Sequence, residues 1–194
     1  MTPTPLTPDP TPSDHEARRV LRLWRLQLLD TPPEPAFDAL VELAAQLTGL
    51  PTALLTFVDD RRVWFKAKVG ANGLSEQPRN DAFCPLVVDR GEFLEVEDAT
   101  RDPRTANLSQ VRDGYRARHY AGVPIRLSDG TVPGTLCVIS PTPGRLTAEQ
   151  RAGLARLAVV AAQAVEWRVH DLQGQALRES LSTDHERLAQ IVAG

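Results

Sequence analysis

The chain has 194 residues, of which 42% are hydrophobic, with a net charge of −3 and an isoelectric point near 5.8. That length predicts one domain of about 150 residues with extensions. Because the chain is weakly acidic and its arginines are scattered along the sequence, we expect neither nucleic acid nor an anionic membrane as a partner.

Two features of the sequence bear on where the protein works. Its only cysteines, Cys84 and Cys137, are too few for a disulfide framework, which favours a reducing compartment. Residues 1–12 lack the basic start and apolar segment of a secretory signal, and the most apolar run, Leu154–Val165, is too short to span a bilayer. The sequence therefore predicts a cytoplasmic protein.

The first elements in chain order are a tail and two helices. Residues 1–14 are dominated by Thr-Pro repeats, which predict a disordered tail. A capping box at Ser13–Glu16 predicts a first helix that ends near Leu29. A second capping box at Thr31–Glu34, followed by an apolar stripe, predicts a second helix that ends at Gly49.

A hairpin and a loop-rich segment come next. Residues 53–58 are continuously apolar, and residues 63–69 alternate, which predicts two strands that share a charged turn. Turn-forming and charged residues then predict loops with a short helix or turn near 81–88, a short strand at Phe93–Val96 and an irregular segment over 98–109.

The most regular part of the sequence follows. Strands at His119–Leu127 and Val132–Ile139, joined by the turn Ser128–Gly130, predict a β-hairpin. Because both faces of its second strand are apolar, we expect this hairpin to lie at the centre of a sheet covered on both sides. A capping box at Thr147–Gln150 predicts a long helix that extends at least to Ala176.

This order of elements predicts an α+β fold. We expect a central antiparallel sheet of five to six strands, with the terminal helices on one face and the loop-rich segment on the other.

A series of short motifs resembles GAF domains, above all those of bacterial sensor histidine kinases and diguanylate cyclases. The motifs are Leu28–Pro33 with Phe37 and Asp38, Phe57–Asp59, Trp64–Ala67, Phe83 with Cys84, Val96–Ala99 with Asp102–Arg104, Tyr120–Pro124, and Gly134–Ile139. The resemblance implies a GAF-like sensory domain over residues 15–168. It also implies a small-ligand pocket between the sheet and residues 74–116, as in the related PAS domains, and signalling to an attached output domain.

Several residues are candidates for that pocket. Trp64 and Lys66 are expected on one strand face, where they could stack on and neutralise a planar acidic ligand, although an edge-strand tryptophan beside solvated lysines would look the same. The resemblance places a pocket wall at Asp81 and Phe83, but Asp81 is also a plausible helix N-cap.

Cofactor chemistry receives little support from the sequence. Cys84 is followed by Pro85 rather than by the histidine common in bilin-binding relatives, which argues against a covalent bilin. His119, adjacent to Tyr120, is the sole histidine in the sheet region, and a lone histidine is a weak signal for a haem ligand. Its alternation with Tyr120 makes it either a pocket residue or a satisfied surface histidine. The sequence shows no cluster typical of a metal site.

Cys84 and Cys137 allow a different hypothesis. Two thiols can undergo a thiol–disulfide cycle if their Cα atoms come within about 7 Å. GAF relatives that reduce free methionine sulfoxide use cysteines in this way, although a thiol inside an apolar strand, such as Cys137, is usually an inert core residue.

The C-terminal segment, residues 169–194, is predicted to be a signalling helix or linker. Val165, Val169, Leu172 and Ala176 form one stripe, and Leu177, Leu181, Leu188 and Ile191 form another, which suggests a parallel homodimer. A capping box at Thr183–Glu186 predicts a helix break near Ser182, and the residues after it resemble the entry helix of a PAS domain, as in a piece of a longer sensor protein.

Three functions follow as hypotheses. The first is a non-enzymatic sensory module that binds a small ligand. The second is a cysteine-based redox sensor or a methionine sulfoxide reductase-like enzyme, and the third is a dimerisation module without a ligand.

Overall fold

The computed structural model describes residues 12–71 and 73–193, so most of the Thr/Pro tail lies outside the described residues. In this part of the chain the helices and strands follow one another in a single α+β arrangement. They are α1 (Pro12–Arg25), α2 (Pro35–Thr48), β1 (Thr52–Val58), β2 (Arg62–Val69), β3 (Glu76–Pro78), α3 (Cys84–Arg90), β4 (Leu94–Val96), α4 (Ser109–Arg112), β5 (His119–Ile125), β6 (Gly134–Ser140) and α5 (Ala148–Ala193).

The strands form one antiparallel sheet in the order β3-β2-β1-β6-β5-β4. The predicted β5–β6 hairpin is confirmed, and its turn contains Gly130 at φ +83°, a conformation that side chains resist. Strand β6 lies at the centre of the sheet, between β1 and β5. The short strand β3 was not predicted, because its sequence Glu-Gln-Pro carries no apolar alternation.

The sheet separates two hydrophobic cores. On one side, called here the helix face, Leu136 and Val138 of β6 pack with residues of α1, α2 and α5. On the other side, called the loop face, Cys137 and Ile139 pack with α3 and with residues from 82 to 117. The predicted assignment of terminal helices to one face and the loop-rich segment to the other is therefore confirmed.

The predicted helix starts have different outcomes. Thr147 and Gln150 form the expected reciprocal capping box before α5, since each side chain accepts a hydrogen bond from the other's backbone N–H, at 2.9 and 3.1 Å. The box at Thr31–Glu34 was wrong: Thr31 donates instead to the Leu28 carbonyl at 2.6 Å, and α2 begins at Pro35. The Ser13 side chain lies outside the described residues.

The predicted helix ends also differ in part. Gly49 ends α2 at φ +70°, as expected, with its N–H donating to the Ala45 carbonyl. Helix α1 ends at Arg25 rather than near Leu29, because the backbone turns at Gln27, which has φ +52°. The predicted break near Ser182 is wrong, since α5 continues to Ala193.

Candidate functional site

The two cysteines meet inside the loop face. Cys84 is the first residue of α3, and Cys137 lies in the middle of β6, with 3.9 Å between the two sulfur atoms. Both thiols are buried and reduced. Two residues that lie 53 positions apart in the sequence therefore form a close dithiol pair.

Aromatic side chains enclose this pair. The Tyr120 hydroxyl donates to the Cys84 sulfur at 3.8 Å, and the Phe83 ring stacks on the Tyr120 ring with centroids 4.6 Å apart. The Tyr120 ring lies across Gly122, where a Cβ atom would come within 2.3 Å of the tyrosine oxygen. Gly122 is therefore needed for the position of Tyr120.

Two threonines complete the polar centre of the loop face. The Thr56 and Thr135 hydroxyls are buried and hydrogen-bonded to each other at 3.0 Å, on neighbouring strands beside Cys84. Neither threonine was predicted to be a site residue. A signal was present, because each is a polar residue flanked by nonpolar residues within its strand.

The contacts distinguish the two thiols chemically. The hydrogen bond from Cys137 lowers the pKa of Cys84. Burial acts in the opposite direction, but the pKa of Cys84 is lowered on balance. The same hydrogen bond raises the pKa of Cys137, and burial adds to that effect. If one thiol ionises, the geometry favours Cys84 as the thiolate, with Cys137 as the proton donor that stabilises it.

The wall of the loop face is built from residues 81–117. Asp81 accepts a hydrogen bond from the Ser109 backbone N–H at 2.7 Å, so its carboxylate caps α4. The Tyr115 hydroxyl is hydrogen-bonded to Thr52 at 2.8 Å and joins this wall to the sheet. The side-chain nitrogen of Gln110 is buried and has no hydrogen-bond partner among the described residues. A buried amide without a partner is a donor available to a ligand.

Trp64 and Lys66 lie on the opposite side of the sheet. A β-bulge interrupts the pairing of β1 with β2 at Lys66, so Trp64 and Ala67 both pack in the helix-face core. The Lys66 ammonium is fully buried and donates to Thr31 at 2.7 Å, to the Pro32 carbonyl at 2.8 Å and to Glu34 at 2.6 Å. These contacts secure the start of α2, and neither residue borders the dithiol pair.

His119 also belongs to the helix face, because it alternates with Tyr120 along β5. Its Nε2 atom is 3.0 Å from a carboxylate oxygen of Glu95. The same carboxylate accepts hydrogen bonds at 2.6 Å from Arg151 and from the Leu146 backbone N–H. Although burial raises the pKa of Glu95, these hydrogen bonds lower it below the ordinary value. The Glu95 carboxylate of β4 therefore joins His119 of β5 to Arg151 of α5.

The eight predicted site residues thus divide into two groups. Asp81, Phe83, Cys84, Tyr120 and Cys137 lie on the loop face or in its wall, and Trp64, Lys66 and His119 lie on the helix face. Within residues 12–71 and 73–193, no three metal-ligating side chains are grouped so as to hold a metal ion. No helix of this part of the chain has the length and apolar character needed to cross a bilayer.

Comparison with known proteins agrees with this architecture. The GAF domain family model matches residues 32–165. A cyclic di-GMP phosphodiesterase from Pseudomonas aeruginosa is 33% identical over 141 residues, which are 73% of this chain and 24% of that protein. The chain thus spans about a quarter of the length of this curated relative.

Solved structures match the fold at low sequence identity. The GAF domain of an Acinetobacter phosphoenolpyruvate-protein phosphotransferase superposes with a TM-score of 0.59 at 19% identity, covering 77% of this chain and 92% of that one. A free methionine-R-sulfoxide reductase from Neisseria meningitidis gives a TM-score of 0.57 at 16% identity, covering 89% and 99%. The PixJ GAF domain from Thermosynechococcus elongatus gives a TM-score of 0.59 at 20% identity, covering 81% of this chain and 93% of that one. These likenesses show the fold alone.

Proposed function

Because this chain belongs to the GAF domain family, we propose that it is the sensory module of a bacterial signalling protein. In this proposal a small molecule binds between the sheet and residues 74–116, and α5 carries the signal to an output domain. The module itself is not the catalyst, and it works in the cytoplasm, where both cysteines stay reduced.

The observation that carries this proposal is the path of α5. The first part of the helix packs against the sheet, with Leu154 and Val165 fully buried in the helix-face core. Arg168 then donates to Glu34 at 2.8 Å and to the Leu26 carbonyl at 3.2 Å. From residue 170 onward the helix extends about 36 Å further, at 1.5 Å per residue. One continuous helix therefore leads from the sheet to residue 193, and in this proposal it is the route by which the signal leaves the domain.

The relative from Pseudomonas aeruginosa supports an attached output domain. That relative is a cyclic di-GMP phosphodiesterase, and this chain matches about a quarter of its length. We propose that the output here is a histidine kinase or an enzyme that makes or degrades a cyclic dinucleotide.

Gln110 supports a ligand on the loop face, because its buried side-chain nitrogen has no partner among the described residues. The test is native mass spectrometry of the chain purified from its own host. We expect the protein with a bound small molecule, which denaturation releases. We also expect Gln110→Ala to lower the ligand-bound fraction, while Arg112→Ala, an exposed change on the same short helix, leaves it unchanged. Detection of only the ligand-free mass would contradict ligand binding.

The 3.9 Å separation of the two sulfurs favours a second candidate function, that of a redox sensor or thiol reductase. A sulfoxide or peroxide would accept two electrons and two protons from the thiols and leave as the reduced product plus water, while the two sulfurs form an S–S bond that ties α3 to β6. The sulfurs must approach from 3.9 Å to about 2.05 Å, a shift that one cysteine rotamer change or a small movement of α3 can supply.

This candidate predicts a reversible disulfide. After treatment with diamide, the denatured protein should have lost two hydrogens by mass, and dithiothreitol should restore them. Cys84→Ser and Cys137→Ser should each abolish the change. If the wild-type mass stays constant under conditions that fully oxidise glutathione, the redox function is excluded.

A further inference from the structure

A cleft lies apart from the dithiol pair, and neither cysteine lines it. It is bordered by the first turns of α1, the end of α3 and the turn between β5 and β6, and its volume is about 800 Å³. Five arginines from four separate parts of the chain line it: Arg18, Arg19, Arg79, Arg90 and Arg126. The fold therefore gathers residues that the sequence shows only as scattered positive charges.

The acidic residues of this cleft are already engaged. Glu16 accepts hydrogen bonds from Arg19 at 2.7 and 2.8 Å and from Arg79. Although partial burial raises the pKa of Glu16, these hydrogen bonds lower it to about 2, so the carboxylate is ionised at neutral pH. Asp129 accepts from Arg22 at 2.6 Å, and Asp89 accepts from Arg79 at 3.4 Å.

Three of the five arginines form no ion pair with a carboxylate of the described residues. Within that part of the chain Arg126 donates only to backbone carbonyls, at 2.6 Å to Gly91 and at 3.2 Å to Gly130. Arg18 and Arg90 are exposed and form neither a hydrogen bond nor an ion pair with the described residues. Arg90 helps to lower the pKa of Asp102 but is not paired with it. The cleft thus contains an excess of guanidinium groups around a space large enough for a ligand.

We infer that this cleft binds a small molecule that carries a diphosphate group. A guanidinium presents its N–H donors in a planar fork that matches phosphate oxygens, and charge-assisted bonds of this kind are stronger than neutral ones. Arginines from α1, α3 and the β5–β6 turn surround the ligand space, which suits an anion with several oxygens rather than one carboxylate. Val88 and Val132 add apolar surface to the wall. The site is independent of the function proposed for the loop face.

Two sources share this chemistry, inorganic pyrophosphate and a nucleoside diphosphate. Isothermal titration of the full chain with pyrophosphate and with ADP distinguishes them. If ADP binds more tightly than pyrophosphate, the ligand is a nucleotide whose nucleoside contacts the apolar wall. If the two probes bind with equal affinity, the cleft recognises the diphosphate group alone. Failure of both probes to bind overturns the proposal.

A double variant, Arg18→Gln with Arg90→Gln, tests whether the cleft arginines bind the probe. Because neither side chain is bonded to the fold, thermal unfolding should be unchanged, while the affinity for the bound probe should fall about tenfold or more. The matched control is Arg112→Gln with Arg156→Gln, which removes two exposed arginines outside the cleft and should leave the affinity within about twofold. An equal loss of affinity in both double variants would show attraction to net charge alone and would overturn the site.

Discussion

Replacing Leu136 with alanine is expected to lower the free energy of unfolding by about 2–4 kcal/mol. Leu136 has no exposed surface and lies in the middle of β6, paired with Leu55 of β1 and Val123 of β5. The substitution removes buried methyl groups and leaves a cavity at the point where the sheet meets the helices. Urea denaturation of both proteins, followed by circular dichroism, measures the difference.

Leu43 provides the matched control for this experiment. It is also a leucine, but it is 50% exposed on α2 and lies outside the proposed dimer contact, so Leu43→Ala should change the stability by less than about 0.5 kcal/mol. A loss below about 1 kcal/mol for Leu136→Ala would contradict a central position of β6 in the core.

Two predictions that depend on local patterns are confirmed. The β5–β6 hairpin was predicted from two apolar segments and a glycine turn, and the start of α5 from the spacing of Thr147 and Gln150. Both features are decided within a few residues of the chain. The Thr31 capping box failed because the threonine hydroxyl found a nearer acceptor, the carbonyl of Leu28.

The position of the candidate site residues was harder to predict, because it depends on contacts between distant segments. Alternation along β2 indicates two faces without saying which one the helices cover, and the bulge at Lys66 interrupts the alternation itself. Burial of Lys66 becomes tolerable only because Glu34 and two oxygen acceptors lie at the start of α2. No sequence pattern predicts that these acceptors surround Lys66.

The same reason applies to the dithiol pair and to the arginine cleft. Cys84 and Cys137 were considered as a possible pair, but their 3.9 Å separation results from the packing of α3 on β6. The arginine cleft was missed because its residues come from α1, α3 and two loops that meet only in the folded chain.

The second large effect is expected in self-association through α5. Val160, Trp167, Leu177 and Leu181 are exposed, with Trp167 at 79%, and at 100° per residue they fall within an arc of about 100°. A surface of this kind along a helix that leaves its own core is typical of a helix–helix dimer. The side chains of Leu188 and Ile191, predicted to extend this stripe, lie outside the described residues.

Leu181→Glu should therefore shift the chain from dimer to monomer, because a parallel homodimer would bury this carboxylate against its copy. Ala176→Glu is the matched control, because the predicted stripe that contains Ala176 begins at Val165, which is buried in the domain's own core. It introduces the same charge in the same exposed part of α5 but lies about 140° away around the helix, so it should leave the dimer intact.

Sedimentation velocity at high micromolar concentration tests the proposed signalling route most directly, by comparing the whole chain with a chain that ends at Arg168. We predict that the whole chain is a dimer. The shortened chain, which loses Leu177 and Leu181, should be a weaker dimer that dissociates at a higher protein concentration than the whole chain does. If the two chains sediment as equal monomers at that concentration, α5 is not the dimer contact and the proposed route through it is wrong.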